Sequence, residues 1–89
     1  MTLLEYRILR ILGAADMIKR PLTVNQVMRI YLRLWHGRLS DYDTWDILMS
    51  IRLSRLAFPM TEFRSTQPWI QVWVIADRGH QALVREFVK

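Results

Sequence analysis

The sequence contains no cysteine and only two lysines against eleven arginines, with three glycines and three prolines among 89 residues. Without cysteine, the chain forms neither a disulfide framework nor a thiolate metal site. The two histidines, His36 and His80, are far apart and fit no catalytic or metal-binding spacing. The scattered glycines form no phosphate-binding loop. We therefore expect no enzyme activity, no catalytic residue, no metal and no cofactor.

No long uninterrupted apolar run occurs in the sequence either. The leucine-rich N-terminus is broken by Glu5, Arg7 and Arg10 and is preceded by no charged region, which argues against a signal peptide. No window approaches the roughly 18 apolar residues that a membrane span needs. We therefore expect a cytoplasmic protein that does not contact membranes.

The composition and length of the sequence indicate one small globular domain. At 52% hydrophobic residues, four of them tryptophan, the chain has enough apolar material for a core, and disorder is not expected. Its length predicts a single domain over residues 1–89. The formal net charge of +5 suits a polyanion or an acidic protein surface, although small domains also carry such charge for solubility alone.

Two capping boxes predict where the first two helices begin, one at Thr2 with Glu5 and one at Thr23 with Gln26. Apolar residues follow at helical spacing in both: Leu4, Ile8, Ile11, Leu12 and Ala15, and then Val24, Val27, Met28, Tyr31, Leu34 and Trp35. Arg7 is predicted to face solvent. The second helix is apolar over more of its circumference than a surface helix needs, which indicates either a dimer contact or a core on three sides.

A third helix is predicted within residues 40–58, capped by Ser40 or by Asp43 and ended before Pro59. A helical wheel predicts a buried stripe made of Tyr42, Trp45, Met49, Leu53 and Leu56. The opposite stripe, predicted to be exposed, carries Asp46, Ile47, Ser50, Ile51 and Ser54, with Arg52 and Arg55 on its flank.

Two strands and a last helix complete the chain. The strands are predicted at residues 58–64 and 69–76, joined by a loop with turn-forming residues. In the second strand, alternate residues are predicted to face the core, namely Ile70, Val72, Val74 and Ala76. The other alternate residues are predicted to face outward, namely Trp69, Gln71, Trp73 and Ile75. The last helix is predicted to start at Asp77 and to pack through Ala82, Leu83 and Phe87.

This order of three helices, two strands and a helix resembles the winged helix-turn-helix superfamily. The segment from Asp77 through Gly79 to Leu83 is also similar to the helix after the wing in many bacterial winged-helix regulators. The resemblance implies an α+β, mainly helical fold with a two-stranded wing. It further implies that the third helix enters the major groove of DNA and that the hairpin touches the backbone or the minor groove.

The resemblance leads to a first hypothesis, a DNA-binding transcriptional regulator of bacterial or phage type that binds double-stranded DNA as a homodimer. By position, it implies these nucleic-acid-binding residues: Arg29, Arg33, Ser50, Arg52, Ser54, Arg55, Arg64 and Gln67. The start of the third helix is acidic, however, with Asp41, Asp43 and Asp46. A carboxylate near phosphates is repulsive unless it accepts a hydrogen bond from a cytosine amino group, and three within six residues are hard to place in that way. The other explanation is that these residues cap the helix and complement its dipole. The alternative is a winged-helix scaffold for protein interaction, such as a phage-encoded inhibitor or adaptor of a host complex. Its interface residues would be Ile47, Ile51, Trp69 and Trp73.

Overall fold

The computed structural model describes residues 1–64 and 69–88, apart from the side chains of Phe87 and Val88. These residues form the predicted order of elements: α1 (Leu3–Met17), α2 (Val24–Trp35), α3 (Asp41–Leu53), β1 (Ala57–Glu62), β2 (Ile70–Ile75) and α4 (Asp77–Val88). The α+β, mainly helical fold class is therefore confirmed. Within the described ranges, no helix is long and apolar enough to cross a membrane.

Both predicted capping boxes are present. The Glu5 amide donates to the Thr2 hydroxyl at 3.1 Å, and the Thr2 amide donates to the Glu5 carboxylate at 3.0 Å. Thr23 and Gln26 repeat the arrangement at 3.2 and 2.9 Å. For α3 the cap is Ser40, whose hydroxyl accepts from the third amide of the helix at 3.0 Å. These caps satisfy amide groups that otherwise have no partner at a helix start.

The end of α3 is closed by a left-handed residue that is not glycine. Arg55 has φ 62°, and its amide donates to the Arg52 carbonyl at 2.9 Å. The next amide, that of Leu56, reaches back to the Ile51 carbonyl at 2.9 Å. This pair of hydrogen bonds is the Schellman pattern, which ends the helix and redirects the chain into β1.

The core lies between the first three helices and one face of the β1–β2 hairpin. Its buried members are Ile8, Leu9, Ile11, Leu12, Ala15, Leu22, Val27, Tyr31, Leu48, Ile51, Ala57, Trp73 and Ile75. Leu34 was predicted to be buried, but it is 57% exposed because it lines an open groove between α1 and α2. From α4, Ala82 and Leu83 pack against this core as predicted.

The hairpin turns its largest side chain inward. Trp73 of β2 pairs with Pro59 of the antiparallel β1, and it also exchanges two backbone hydrogen bonds with Leu22, at 2.7 and 3.3 Å. Trp73 is 1% exposed and Ile75 5% exposed, so the prediction that these two residues face outward was wrong. Both alternating sets of β2 are apolar, and the sequence pattern therefore does not distinguish the two faces. Packing against the helices selects the face that carries the tryptophan.

The start of α4 is fitted closely against the end of the hairpin. The Ala76 amide donates to the Leu56 carbonyl at 2.9 Å, and Gly79 lies over the same carbonyl. A Cβ atom at Gly79 would collide with this oxygen and would lie 2.5 Å from Cγ1 of Ile75. Further along α4, Nε2 of His80 lies 2.9 Å from a carboxylate oxygen of Asp16 in α1.

We expect Gly79→Ala to lower the free energy of unfolding by about 1–3 kcal/mol, because the added methyl group overlaps backbone that cannot move independently. Gly37→Ala is the matched control, since a Cβ there meets no atom closer than 3.7 Å. For Gly37→Ala we expect the free energy of unfolding to stay the same or to rise slightly, because alanine reduces the entropy of the unfolded chain. Urea denaturation followed by tryptophan fluorescence measures both. Equal stabilities of the two variants would contradict the proposed close contact.

Candidate nucleic-acid interface

The inner side of α3 is formed by Thr44, Leu48 and Ile51, all with 0% exposure. Ile47 is half-buried and packs against the same core. Burial of Thr44 leaves no unsatisfied group, because its hydroxyl donates to the Ser40 carbonyl at 2.9 Å. This side of α3 therefore faces the protein interior.

The opposite side of α3 carries Tyr42, Asp46, Met49 and Leu53, which we call the outward stripe. These residues recur at intervals of four, three and four and so lie above one another on the helix surface. Tyr42 is 77% exposed and Leu53 81% exposed, while Met49 is half-buried. Met49 packs against the core, so the outward stripe exposes the ring and hydroxyl of Tyr42, the carboxylate of Asp46 and the apolar side chain of Leu53.

This arrangement reverses the helical wheel predicted from the sequence by about half a turn. The predicted buried stripe faces solvent at Tyr42 and Leu53, and Ile51, predicted as an interface residue, lies in the core. Apolar residues occur on both sides of α3, so their spacing alone does not determine which side is buried. Contacts with α1, α2 and β1 select the side of Leu48 and Ile51. The exposed isoleucine ridge predicted as a protein interface does not exist.

Two tryptophans connect the outward side of α3 to the hairpin. Trp45 is 43% exposed and meets the ring of Trp73 edge-on, with centroids 6.1 Å apart. Because Trp73 is buried, its prediction as a residue that contacts a partner was wrong. Trp69 is 71% exposed, as predicted, and its ring lies edge-on to Phe63 at 5.7 Å. An aromatic pair therefore marks the far end of the hairpin.

Ser50, predicted to contact DNA, is engaged within the protein. Its hydroxyl donates to Oε2 of Glu5 at 3.1 Å, while Oε1 of Glu5 accepts the Thr2 amide. The hydrogen bond from the Thr2 backbone lowers the pKa of Glu5, and the Ser50 hydroxyl acts in the same direction. The capping box of α1 thereby also holds one flank of α3.

Four arginines predicted to bind nucleic acid are exposed: Arg29, Arg33, Arg52 and Arg55. Within the described part of the chain, none of these guanidinium groups forms an ion pair or a cation-π contact. Arg29 and Arg33 lie one turn apart on α2, and Arg52 and Arg55 lie at the end of α3 together with the exposed Ser54. Their charges are therefore free to meet an anionic partner.

Two other arginines are committed to the fold. Arg64 forms an ion pair with Glu62 at 3.2 Å and donates to the Pro21 carbonyl at 3.4 Å, which ties the hairpin to the connector between α1 and α2. Arg7 was predicted to face solvent, but it donates to the Tyr31 hydroxyl at 3.0 Å and is half-buried. Aromatic side chains of α2 attract its guanidinium group away from water. Gln67, also predicted at the wing, lies outside the described residues.

An open apolar groove of about 460 Å³ lies on the surface between α1 and α2. Ile18 and Leu34 line it, with 66% and 57% of their surface exposed. Trp35 and Ile30 also line the groove, and Arg10 borders it. Exposed apolar surface of this kind commonly marks a contact with another protein chain.

No family model and no curated protein matches the chain. Solved structures do match it. Bacillus subtilis PadR in complex with operator DNA aligns with a TM-score of 0.77 and 16% identity, over 99% of this chain and 48% of PadR. A PadR-like transcriptional regulator from Bacillus cereus aligns with a TM-score of 0.77 and 17% identity, over 92% and 75% of the two chains. A PadR-like transcription factor from Bacteroides fragilis aligns with a TM-score of 0.77 and 15% identity, over 96% of this chain and 77% of that protein.

The chain has a winged helix-turn-helix fold. In this winged helix, α2 and α3 are the helices of the helix-turn-helix, and the β1–β2 hairpin is the wing. The chain spans about half the length of PadR and about three quarters of the other two proteins. The outward stripe lies on the side of α3 that faces away from Thr44, Leu48 and Ile51 in the core.

We expect Ile51→Ala and Leu53→Ala to differ sharply in stability. Ile51→Ala should lower the free energy of unfolding by about 2–5 kcal/mol, because it opens a cavity in the core. Leu53→Ala should change it by less than about 0.5 kcal/mol, because the leucine is mostly exposed. Urea denaturation of the two variants is the measurement. The reverse order would mean that α3 packs as the helical wheel predicted.

Proposed function

We propose that the chain binds double-stranded DNA as a winged-helix transcriptional regulator and acts by binding rather than by catalysis. In this proposal α3 enters the major groove and the hairpin contacts the backbone or the minor groove. The observation that carries it is the outward stripe of α3, which is exposed at Tyr42, Asp46 and Leu53 in a fold shared with PadR. PadR was solved in complex with operator DNA.

The distribution of positive charge supports the same function. The chain carries a formal net charge of +5. The exposed Arg29 and Arg33 of α2, and Arg52 and Arg55 at the end of α3, provide unpaired guanidinium groups for phosphate oxygens. Arg64, held at 3.2 Å from Glu62, contributes through a neutralised pair and matters less for affinity. Ser54 lies beside Arg55 and is a further candidate for a phosphate contact.

Affinity should fall steeply with salt, because each phosphate that the protein neutralises contributes about −0.9 to the slope of log K against log salt. Arg29→Ala combined with Arg33→Ala should weaken binding to every duplex sequence and make the slope less steep by about two. Fluorescence anisotropy with a labelled duplex, titrated at several salt concentrations, measures both quantities.

The control for this experiment is Arg78→Ala combined with Arg85→Ala, which also removes two positive charges, here from exposed positions on α4. It should leave the salt slope unchanged, because α4 lies outside the helix-turn-helix and the wing. Absence of duplex binding even at low salt would contradict the proposed function. An equal effect of the Arg78→Ala and Arg85→Ala combination would show that only net charge matters.

The protein acts as a homodimer in this proposal. A single small module offers limited contact area on DNA, and helix-turn-helix dimers gain specificity by reading two half-sites. The apolar groove between α1 and α2, with its exposed Ile18 and Leu34, supports a contact between copies.

Leu34→Asp should shift the protein from dimer to monomer, because the carboxylate would be buried without a partner in the contact. Leu34 is 57% exposed in the single chain, so circular dichroism should show an unchanged fold. Sedimentation velocity over a range of concentrations gives the oligomeric state. A wild-type chain that stays monomeric at every concentration would contradict the dimer.

A further inference from the structure

The outward stripe of α3 has an unusual chemical composition for a helix that enters DNA. Tyr42 and Leu53, 77% and 81% exposed, are its most exposed members, and the one charged group between them is the carboxylate of Asp46. No member of the stripe carries the paired donors with which arginine reads guanine. None carries the amide with which asparagine or glutamine reads adenine.

Met49 packs against the core, but each exposed side chain of the outward stripe has a counterpart in the major groove. Apolar side chains contact the C5 methyl group of thymine, and a carboxylate accepts a hydrogen bond from the N4 amino group of cytosine. The structure assigns to α3 a pyrimidine preference: Tyr42 and Leu53 contact thymine methyl groups, and Asp46 accepts from a cytosine. This inference rests on the proposed DNA-binding function and specifies its ligand.

The spacing of the stripe fits this assignment. Successive members are three or four residues apart, which at about 1.5 Å per residue is about 4.5–6 Å along the helix axis. Base pairs stack about 3.4 Å apart, so the exposed Tyr42 and Asp46 are separated along the helix axis by about two base-pair steps, and Asp46 and Leu53 by about three. Asp46 lies four residues after Tyr42, beyond the first turn of α3 where a carboxylate only offsets the helix dipole. Its charge near phosphates is unfavourable unless a cytosine amino group compensates it.

The test uses duplexes selected by the full chain from a randomised pool of about two helical turns. A selected duplex is prepared with thymine and again with deoxyuridine, which lacks only the C5 methyl group. The wild-type chain should bind the thymine duplex more tightly, by about fourfold for each methyl contact. Tyr42→Ala combined with Leu53→Ala should bind the two duplexes equally. Arg33→Ala is the control and should weaken both while keeping their ratio.

The outcomes separate this inference from the proposed function. Equal binding of the thymine and deoxyuridine duplexes by the wild-type chain overturns the inference and leaves DNA binding intact. Discrimination that persists in the double variant also overturns it, because the preference would then arise from DNA shape. If the chain retains no duplex even at low salt, the proposed function itself is overturned, and the outward stripe would then bind a protein partner.

Asp46→Ala provides an independent test of the cytosine contact. Repeating the selection with this variant should abolish the preference for cytosine at one position of the recovered site. Binding to unselected duplex should become tighter by a few fold, because a carboxylate near the phosphates has been removed. A merely structural role for Asp46 would leave the recovered site unaltered, although loss of the negative charge would still strengthen binding. An unaltered recovered site would overturn the assignment.

Discussion

Burial of Trp73 is the constraint on which the rest of the structure depends. Its backbone is held from two sides, by the pairing with Pro59 in β1 and by the hydrogen bonds with Leu22 before α2. Its ring is 1% exposed and meets the edge of Trp45 on α3. Because one large side chain contributes so much buried area, the connector, the hairpin and α3 are all positioned around it. Together with the hydrogen bond from Ala76 to the Leu56 carbonyl, this site positions the wing relative to α3.

The same packing exposes the candidate interface. Once Leu48 and Ile51 have filled the space between α3 and its neighbours, Met49 on the other side still packs against the core, whereas Tyr42 and Leu53 have no core to enter. Tyr42 and Leu53 consequently remain in water, where their exposure costs free energy that only a partner can recover. The exposed Tyr42 and Leu53 are therefore left available for contact with a partner on the proposed recognition helix.

The arginines of the chain divide into two groups that composition does not distinguish. Arg7 and Arg64 are held by aromatic rings, a hydroxyl, a carboxylate or a backbone carbonyl, and they fasten elements to one another. Arg29, Arg33 and Arg52 have no such partner in the described ranges. The second group is the one that electrostatic attraction to DNA would use, because an unpaired guanidinium group gains more from a phosphate than one that already has a partner.

The sequence by itself determined the order of elements and the starts of the first two helices, and it left the third to start at Ser40 or at Asp43. Capping at Thr2 and Thr23 depends on residues three apart in the chain, so the local sequence is enough to indicate it. Only the tertiary structure decided which sides of α3 and β2 are buried. Both sides of each element are apolar, so their local periodicity is equally compatible with either orientation, and Ile51 and Trp73 enter the core because distant elements meet there.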